Sequence, residues 1–517
     1  MRIGLLPLDE RPVNARLPGQ IAALAGGALE LPPAGVLSRK KRPADTEALV
    51  SWAAALAHGD PVPAALVVSL DMLGHGGLIA ARTTADALSE VVSRWEVLRE
   101  LRAVAPETRV HAVSLVTRAP NSYNDDEEPA YWSEIGADLH AFGGALHRSF
   151  LGEPAADGAT PASFRERLPA EPVADFTARR LRNHTGNLAA LGLAADGVLD
   201  TLLLTADDTA ERSAGSLEQI WLRHWTDVLA PPPGRVLSHP GADEVGSVLT
   251  ARAVLAELDV PPPSVAVVCG VPGGLERVAP YENQPLGVGA EGHVRACGAR
   301  LTDPGDADLV LVVHPWDTAG GDWAHRHPTV RDSSHPEVLA TVAEVATHRA
   351  RGAAVAVADC GYPNGSDPAL VSALGERGPW EDLAGYAGWN TAGNTMGSVI
   401  AQAVVHTAAR RAGVLDTAAH RALLLHRLVE DHAYMAGIRG AALAEFTDRT
   451  RHSTLPAELV EPVRAWVAER LATAPGELPG FAGWTVPPDS VTLPWQRTFE
   501  VDFAVTAPAT SGSGERS

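Results

Sequence analysis

Residues 201–208 read TLLLTADD, an uncharged and mostly apolar run that ends in two adjacent aspartates. A short apolar run of this kind is typical of a parallel strand that is buried on both faces. Parallel α/β sheets gather their functional residues beyond the carboxyl ends of the strands. The run therefore predicts a central strand and, in Asp207 and Asp208, a functional site at its end.

Similar apolar runs recur along the chain, each followed by polar or glycine-rich residues. They cover residues 3–8, 65–70, 110–116, 201–205, 235–237, 265–269, 309–313 and 353–358. Helical patterns fill several intervals, among them residues 84–103, 216–229, 244–258 and 337–351. This alternation predicts an α/β fold. Eight strands favour a (β/α)8-like barrel with inserted helices, and a doubly wound parallel sheet is the alternative.

The chain divides into three parts by composition. We expect a barrel-like catalytic domain over residues 1–395, with an insertion near 121–199 because that interval is too long for one connection. Residues 396–506 are expected to form a mostly helical C-terminal region with late strands. Residues 507–517 are rich in Ala, Pro, Ser and Gly, which predicts a disordered tail.

The charge balance of the chain argues against some classes of binding partner. Lys+Arg is 42 against Asp+Glu 63, a formal net charge of −21, which repels phosphate backbones and anionic lipid. The two lysines, Lys40 and Lys41, lie outside any P-loop pattern, which argues against P-loop NTPases and Schiff-base enzymes. No apolar stretch reaches transmembrane or secretory length. We expect a cytoplasmic protein with no nucleic-acid or membrane partner. Whether the chain forms a homo-oligomer is left open.

Carboxylates, amides and tryptophans follow the predicted strands, and together they suit a small carbohydrate. Sugar hydroxyls donate hydrogen bonds to Asp and exchange them with Asn, and sugar C–H faces pack on Trp. Each residue alone also fits a helix cap or a turn. The predicted substrate-binding residues are Asp9, Arg11, Asn14, Asp71, Tyr123, Asn124, Trp316, Asp317, Trp389, Asn390 and Asn394.

Asp207 and Asp208 carry the predicted chemistry. Consecutive side chains of a strand diverge, and like charges this close push their pKa values apart, so that one carboxyl is an acid while its neighbour stays ionised. Glycosidases that use the 2-acetamido group of their substrate need one carboxylate to orient that group and one to protonate the leaving oxygen. We assign the first role to Asp207 and the second to Asp208, with the order left open. Helix capping is the alternative.

Metal-dependent hydrolysis of another bond, such as an amide, is a second hypothesis. The aspartate pair with His239, Asp243 and His314 could bind a divalent ion. No H-E-x-x-H spacing occurs among the histidines, so we expect neither a metal nor a cofactor. A non-catalytic carbohydrate-binding protein is the third hypothesis.

Several segments resemble a bacterial family known only as a domain of unknown function. The matching segments are residues 6–14 (LPLDERPVN), 68–73 (VSLDML), 76–80 (GGLIA), the acidic stretch 121–132, the pair 207–208 and residues 386–395 (YAGWNTAGNT). The aspartate pair is more weakly similar to that of barrel-fold, retaining β-N-acetylhexosaminidases. This resemblance implies a glycoside hydrolase that releases terminal 2-acetamido sugars, foremost β-linked N-acetylgalactosamine, by substrate-assisted catalysis.

Overall fold

A computed structural model describes residues 1–446 and 454–508 of the chain. The strands are β1 (Arg2–Leu6), β2 (Ala28–Glu30), β3 (Ala65–Ser69), β4 (Arg109–Val116), β5 (Thr201–Ala206), β6 (Val236–Pro240), β7 (Ser264–Val268), β8 (Arg300–Leu301), β9 (Leu309–His314), β10 (Ala354–Asp359) and β11 (Gly385–Ala387). Residues 509–517 of the predicted tail lie outside the described residues.

Helices fill the intervals between the strands and most of the C-terminal region. They are α1 (Pro12–Ala15), α2 (Leu17–Ala23), α3 (Thr46–Ala57), α4 (Leu70–His75), α5 (Ala80–Thr83), α6 (Leu88–Val104), α7 (Trp132–Leu151), α8 (Pro161–Arg167), α9 (Ala170–Ala195), α10 (Ala214–Leu229), α11 (Val245–Glu257), α12 (Leu286–Ala296), α13 (Pro336–Ala350), α14 (Pro368–Gly375), α15 (Ala392–Ala412), α16 (Thr417–Arg427), α17 (Arg439–Phe446) and α18 (Ala457–Glu477). A π-helix (Leu428–Ile438) joins α16 to α17.

The strands form two open sheets, and this corrects the predicted barrel. One sheet has the order β2-β1-β3-β4-β5-β6 and the other β11-β10-β9-β7-β8. All pairings within them are parallel, which confirms the parallel α/β prediction. The barrel does not close because, within residues 1–446 and 454–508, no strand of one sheet pairs with a strand of the other. The open, doubly wound alternative is compatible with this arrangement.

Both sheets share one strand order. In the first, β1 lies between β2 and β3; in the second, β7 lies between β8 and β9, and later strands follow on one side. This 2-1-3-4-5 order is the flavodoxin-like one, which β6 extends in the first sheet. Ligands of such sheets bind beyond the carboxyl ends of the strands, near the point where the order reverses.

Helices cover both faces of the first sheet because its strand side chains alternate between two cores. Leu5 and Leu203 face a core that includes α2 and α11. Leu66 and Leu204 face a second core formed with α3, α6 and α9. Helix α11 also packs against α15, which lies on β9, β10 and β11. The helix pair α11–α15 therefore joins the two sheets.

The remaining segments lie around this frame. The interval 121–199 contains α7, α8 and α9. Where late strands were expected, residues 485–506 form isolated bridges between Thr485 and Thr506 and between Thr492 and Asp502. Within residues 1–446 and 454–508, none of the helices combines the length and the apolar character needed to cross a membrane.

Candidate active site

Asp207 and Asp208 lie at the carboxyl end of β5. The predicted central position is corrected, because β5 lies between β4 and the edge strand β6. The backbone N–H of Asp207 donates to the carbonyl of Val116 at 3.1 Å, which extends the pairing with β4. Asp208 turns the chain away at a φ of 34°, a conformation that residues other than glycine rarely adopt. The two carboxylates therefore meet different surroundings.

Those surroundings favour different protonation states. Oδ2 of Asp208 accepts a hydrogen bond of 2.9 Å from Arg118 Nη1. Oδ2 of Asp207 lies 3.6 Å from Arg82 Nη2 and has no hydrogen-bond partner among the described residues. Burial, and then the charge of Asp208, raise the pKa of Asp207 to about 6. Asp207 is the carboxyl that holds a proton in mild acid, beside an ion-paired Asp208.

Arg118 is fixed by three carboxylates at once. Besides Asp208, it donates from Nη2 to Glu127 Oε2 and from Nε to Glu128 Oε1, each at 2.9 Å. Glu128 also accepts from Arg82 Nη1. A planar guanidinium held on three sides has little freedom to turn, so it presents a fixed positive charge to Asp208.

A second group of charges gathers around Asp243, which follows β6. Arg11, after β1, donates from Nη1 to Asp243 Oδ2 at 3.2 Å and from Nε to Asp9 Oδ2 at 2.9 Å. Asn14 Nδ2 donates to Asp9 Oδ1 at 3.0 Å and to Asp243 Oδ1 at 3.2 Å. All four residues are buried. The first sheet thus supplies three of the predicted binding residues to one cluster.

The segment after β11, in the second sheet, contacts the same residue, Asp243. Asn390 Nδ2 lies 3.5 Å from Asp243 Oδ2. Asn394 Oδ1 accepts from the backbone N–H of Asp243 at 3.2 Å. Asn390 has a φ of 57°, so it too leaves its strand in the left-handed region. The site therefore lies where the carboxyl ends of the two sheets meet.

The C-terminal segment links both groups of charges, and the sequence analysis missed it. Arg497 Nη2 donates to Glu500 Oε1 at 3.2 Å and also pairs with Glu127. Glu500 Oε1 lies 3.7 Å from Arg11 Nη1. The Trp495 ring lies between the guanidinium groups of Arg11 and Arg497, at 4.6 and 4.4 Å. Charged residues within the otherwise apolar stretch 484–505 were the available signal.

Other predicted binding residues make their described hydrogen bonds away from this network. Asp71 Oδ2 accepts from the backbone N–H of Leu115 at 3.0 Å, within the first sheet. Tyr123 is 58% exposed and donates to Asp138 at 3.3 Å. Asn124 Oδ1 accepts from the backbone N–H of residue 126. Asp71 serves strand pairing, and the other two lie on a loop.

The tryptophan platform expected under a sugar ring is not formed by Trp389, which is 0% exposed and offers no free face. Its position inside the core follows from the packing of α15 on the second sheet. Trp316 is half-buried against the same core, and its carbonyl accepts from Arg277 Nη1 at 2.8 Å. Asp317 accepts from Arg331 Nε at 2.8 Å, so it is already paired.

A cleft of about 960 Å3 opens beside the network. Glu128 lines it, and Glu128 is bonded to both Arg82 and Arg118. Tyr131 and Arg179 lie on its wall. Asp207 and Asp208 are not among the residues that line the cleft, so it meets the charged network at Glu128 and not at the aspartate pair.

Asp207→Asn is expected to stabilise the protein at pH 8 and to leave it unchanged at pH 4. An unfolded aspartate titrates near 4, whereas the pKa of Asp207 is raised to about 6 by burial. The native state therefore loses about 3 kcal/mol as the pH rises from about 4 to about 6. Urea midpoints of both proteins at the two pH values measure this. Equal midpoints at pH 8 would contradict the raised pKa.

Comparisons with known proteins leave the activity open and define the family. No curated protein and no solved structure matches the chain. They therefore lend no support to the weaker resemblance to β-N-acetylhexosaminidases. A family model matches residues 3–504, nearly the whole chain. The family resemblance in the sequence is thereby confirmed: the chain belongs to the family described as "Protein of unknown function (DUF4127)".

Proposed function

We propose that the protein is a glycoside hydrolase that releases terminal 2-acetamido sugars, with β-linked N-acetylgalactosamine as the first substrate to test. The observation that carries the proposal is the Asp207–Asp208 pair. The carboxyl of Asp207 is buried, its Oδ2 has no hydrogen-bond partner among the described residues, and its pKa is raised to about 6. Its neighbour Asp208 is ion-paired with Arg118. Substrate-assisted glycosidases need this division between an acid and a charged, orienting group.

These surroundings favour the reverse of the roles assigned from the sequence. Asp207 donates its proton to the glycosidic oxygen while the acetamido oxygen of the substrate attacks the anomeric carbon. Asp208, ionised on Arg118, accepts the amide N–H and stabilises the positive charge of the resulting oxazolinium ring. Asp207, now ionised, then takes a proton from the water that opens the ring. The second attack restores the configuration at the anomeric carbon.

Substrate hydroxyls would be bound where the two sheets meet. Asn390 is half-buried, and its contact with Asp243 is 3.5 Å long, a weak bond that a sugar hydroxyl can replace. Asp9, Arg11, Asn14 and Asn394 hold Asp243 in place, so their contribution is to position that carboxylate.

The metal-dependent alternative is not favoured by the residues that suggested it. The carboxylate of Asp243 is bonded to the guanidinium of Arg11, which occupies the place of a cation. His314 is fully buried and bonded to Thr341 and Asp367, at 2.8 and 3.2 Å. Among the described residues, Asp207, Asp208, Asp243 and His314 belong to no group of three ligand atoms close enough to share one ion, and His239 is grouped with Glu244 and His293 instead.

The proposal also covers the cofactor requirement, the class of substrate and the cellular compartment of the enzyme. Hydrolysis by two carboxylates needs no cofactor, and the substrate is a small carbohydrate and not a nucleic acid or a membrane. Cys269, Cys297 and Cys360 are free thiols, which suits the reducing cytoplasm. Association of the chain with itself can be tested by sedimentation.

A panel of 4-nitrophenyl glycosides tests the function. We expect release from substrates with a 2-acetamido group, fastest from the β-galacto isomer, and no release from the matching sugars with a 2-hydroxyl, because these lack the internal nucleophile. NMR of the first product should show retention. Binding without hydrolysis would instead support a carbohydrate-binding protein. Equal rates on the 2-acetamido and 2-hydroxyl sugars would overturn substrate assistance.

A further inference from the structure

Three ligand-type side chains converge behind the aspartate site, between the two sheets. They are His239 on β6, Glu244 next to the start of α11, and His293 on α12. Glu244 Oε1 lies 3.0 Å from His293 Nε2 and 3.6 Å from His239 Nδ1. The side chains of all three are 0% exposed. This is the one such His/Cys/carboxylate group among the described residues.

Protein contacts alone leave this cluster unsatisfied. Glu244 Oε2 and His239 Nε2 are buried and have no hydrogen-bond partner in the described part of the chain. Leaving a buried polar atom unpaired costs about 1–3 kcal/mol. Two such atoms in one cluster point to a group that would satisfy both.

The two imidazoles lie against each other, with ring centroids 3.9 Å apart, and each directs its Nδ1 to a backbone carbonyl. Nδ1 of His293 lies 2.8 Å from the carbonyl of Gly289, and Nδ1 of His239 lies 2.9 Å from the carbonyl of Pro240. A ring that donates from Nδ1 to a backbone carbonyl keeps its lone pair on Nε2. Ligating histidines are commonly held in this way, because the second hydrogen bond fixes the tautomer and the ring orientation.

The backbone is also shaped around the carboxylate. A Cβ atom at Gly397 would lie 2.1 Å from Glu244 Cγ, and one at Gly241 would lie 2.1 Å from Glu244 Oε1. Gly241 has a φ of 114°, a conformation that side chains disfavour. Larger residues at either position would displace Glu244, so the two glycines fix the place of its carboxylate.

We propose that His239, Glu244 and His293 bind one divalent transition-metal ion, with Zn2+ as the leading candidate. Two imidazoles and one carboxylate suit Zn2+, and also Fe2+, Mn2+ or Co2+. The ligands come from β6 of the first sheet and from α12, which packs against α15 of the second. The ion is therefore structural, because it joins the two halves of the fold while its shielded ligands keep a sugar from reaching it. The glycosidase proposal does not depend on it.

Metal content and stability test the site. The full chain is dialysed against a chelator, and Zn2+ is then titrated in by calorimetry, with elemental analysis of the loaded protein. We expect one Zn2+ per chain and a melting temperature several degrees higher with the ion than without it, because the ion binds only the native state. Co2+ in place of Zn2+ should give visible d–d absorption bands. A chain that takes up no Zn2+ would overturn the proposal.

Variants assign the ion to these residues. Glu244→Gln keeps the size of the side chain and can still donate to His293, so it should fold yet lose the stabilisation by Zn2+. His293→Gln should lose it as well. His406 and His420 form a second buried ring pair, at 4.3 Å, for which the described residues offer no third ligand. His406→Gln should therefore bind one ion like the wild type. Unchanged Zn2+ binding in Glu244→Gln would overturn the assignment.

Discussion

Asp207→Asn is expected to lose about 10²–10⁴-fold in kcat/KM on a β-linked natural disaccharide and to keep far more of its rate on a 4-nitrophenyl glycoside. The reason is that nitrophenolate leaves without a proton, whereas a sugar alkoxide needs one from an acid. Asp207 is the carboxyl with the unpartnered oxygen, and burial raises its pKa to about 6. Steady-state rates on the two substrates measure the difference.

Asp208→Asn provides the matched control. This variant keeps Asp207 but loses the charge that Arg118 holds in place, and that charge is needed whatever the leaving group. Its losses on the two substrates should be similar. The opposite pattern, in which Asp208→Asn shows the leaving-group dependence, would restore the roles assigned from the sequence. Near wild-type rates in both variants would remove both residues from the chemistry.

The pH dependence of kcat/KM identifies the general acid without the need for a natural substrate. The acid form of Asp207 disappears as the pH rises through its pKa of about 6, so the basic limb of kcat/KM should fall there. That limb should flatten in Asp207→Asn, because an amide does not titrate in this range. Persistence of the limb would assign it to another group.

The sequence predicted strands better than it predicted the shape of the sheet. Each of the eight apolar runs overlaps a strand, because a strand buried on both faces must be apolar along its length. The strands β2, β8 and β11 have two or three residues each, too few to leave a pattern. Yet β2 and β8 are edge strands beside β1 and β7, and such short edges are part of what keeps the sheets open. Whether the strands close into a barrel could not be predicted from the apolar runs alone.

The residues of the candidate site could likewise be predicted only in part from the sequence. Residues within three positions of a strand end, such as Asp9, Asp207 and Asn390, could be placed near one another because parallel strands end at one edge of a sheet. Arg497 and Glu500 follow no strand, and besides each other they pair with Glu127 and Arg11, which lie hundreds of residues away in the chain. Spacing carries no signal for such pairs. The opposite error was Trp389, which follows β11 but turns into the core.

The buried charges around Arg11 lead to the largest expected effect on stability. Arg11 is 4% exposed; it is bonded to Asp9 and Asp243, lies 3.7 Å from Glu500 and stacks on Trp495. Arg11→Met fills much of the same space but leaves Asp9 and Asp243 buried without their arginine partner, whereas Glu500 keeps Arg497. Removing one partner of a buried ion pair costs about 3–5 kcal/mol. Urea midpoints followed by tryptophan fluorescence measure the loss.

Two further variants distinguish lost charge pairing from lost packing. Arg2, at the start of β1, pairs with Glu30, but the two side chains are 33% and 38% exposed, so Arg2→Met should cost about 1 kcal/mol or less. Adding Asp243→Asn to Arg11→Met removes one unpaired charge, and the double variant should therefore be more stable than Arg11→Met alone. If the double variant is less stable than Arg11→Met, Arg11 stabilises the protein mainly through its packing on Trp495. The contact between the two sheets then does not depend on the buried charges.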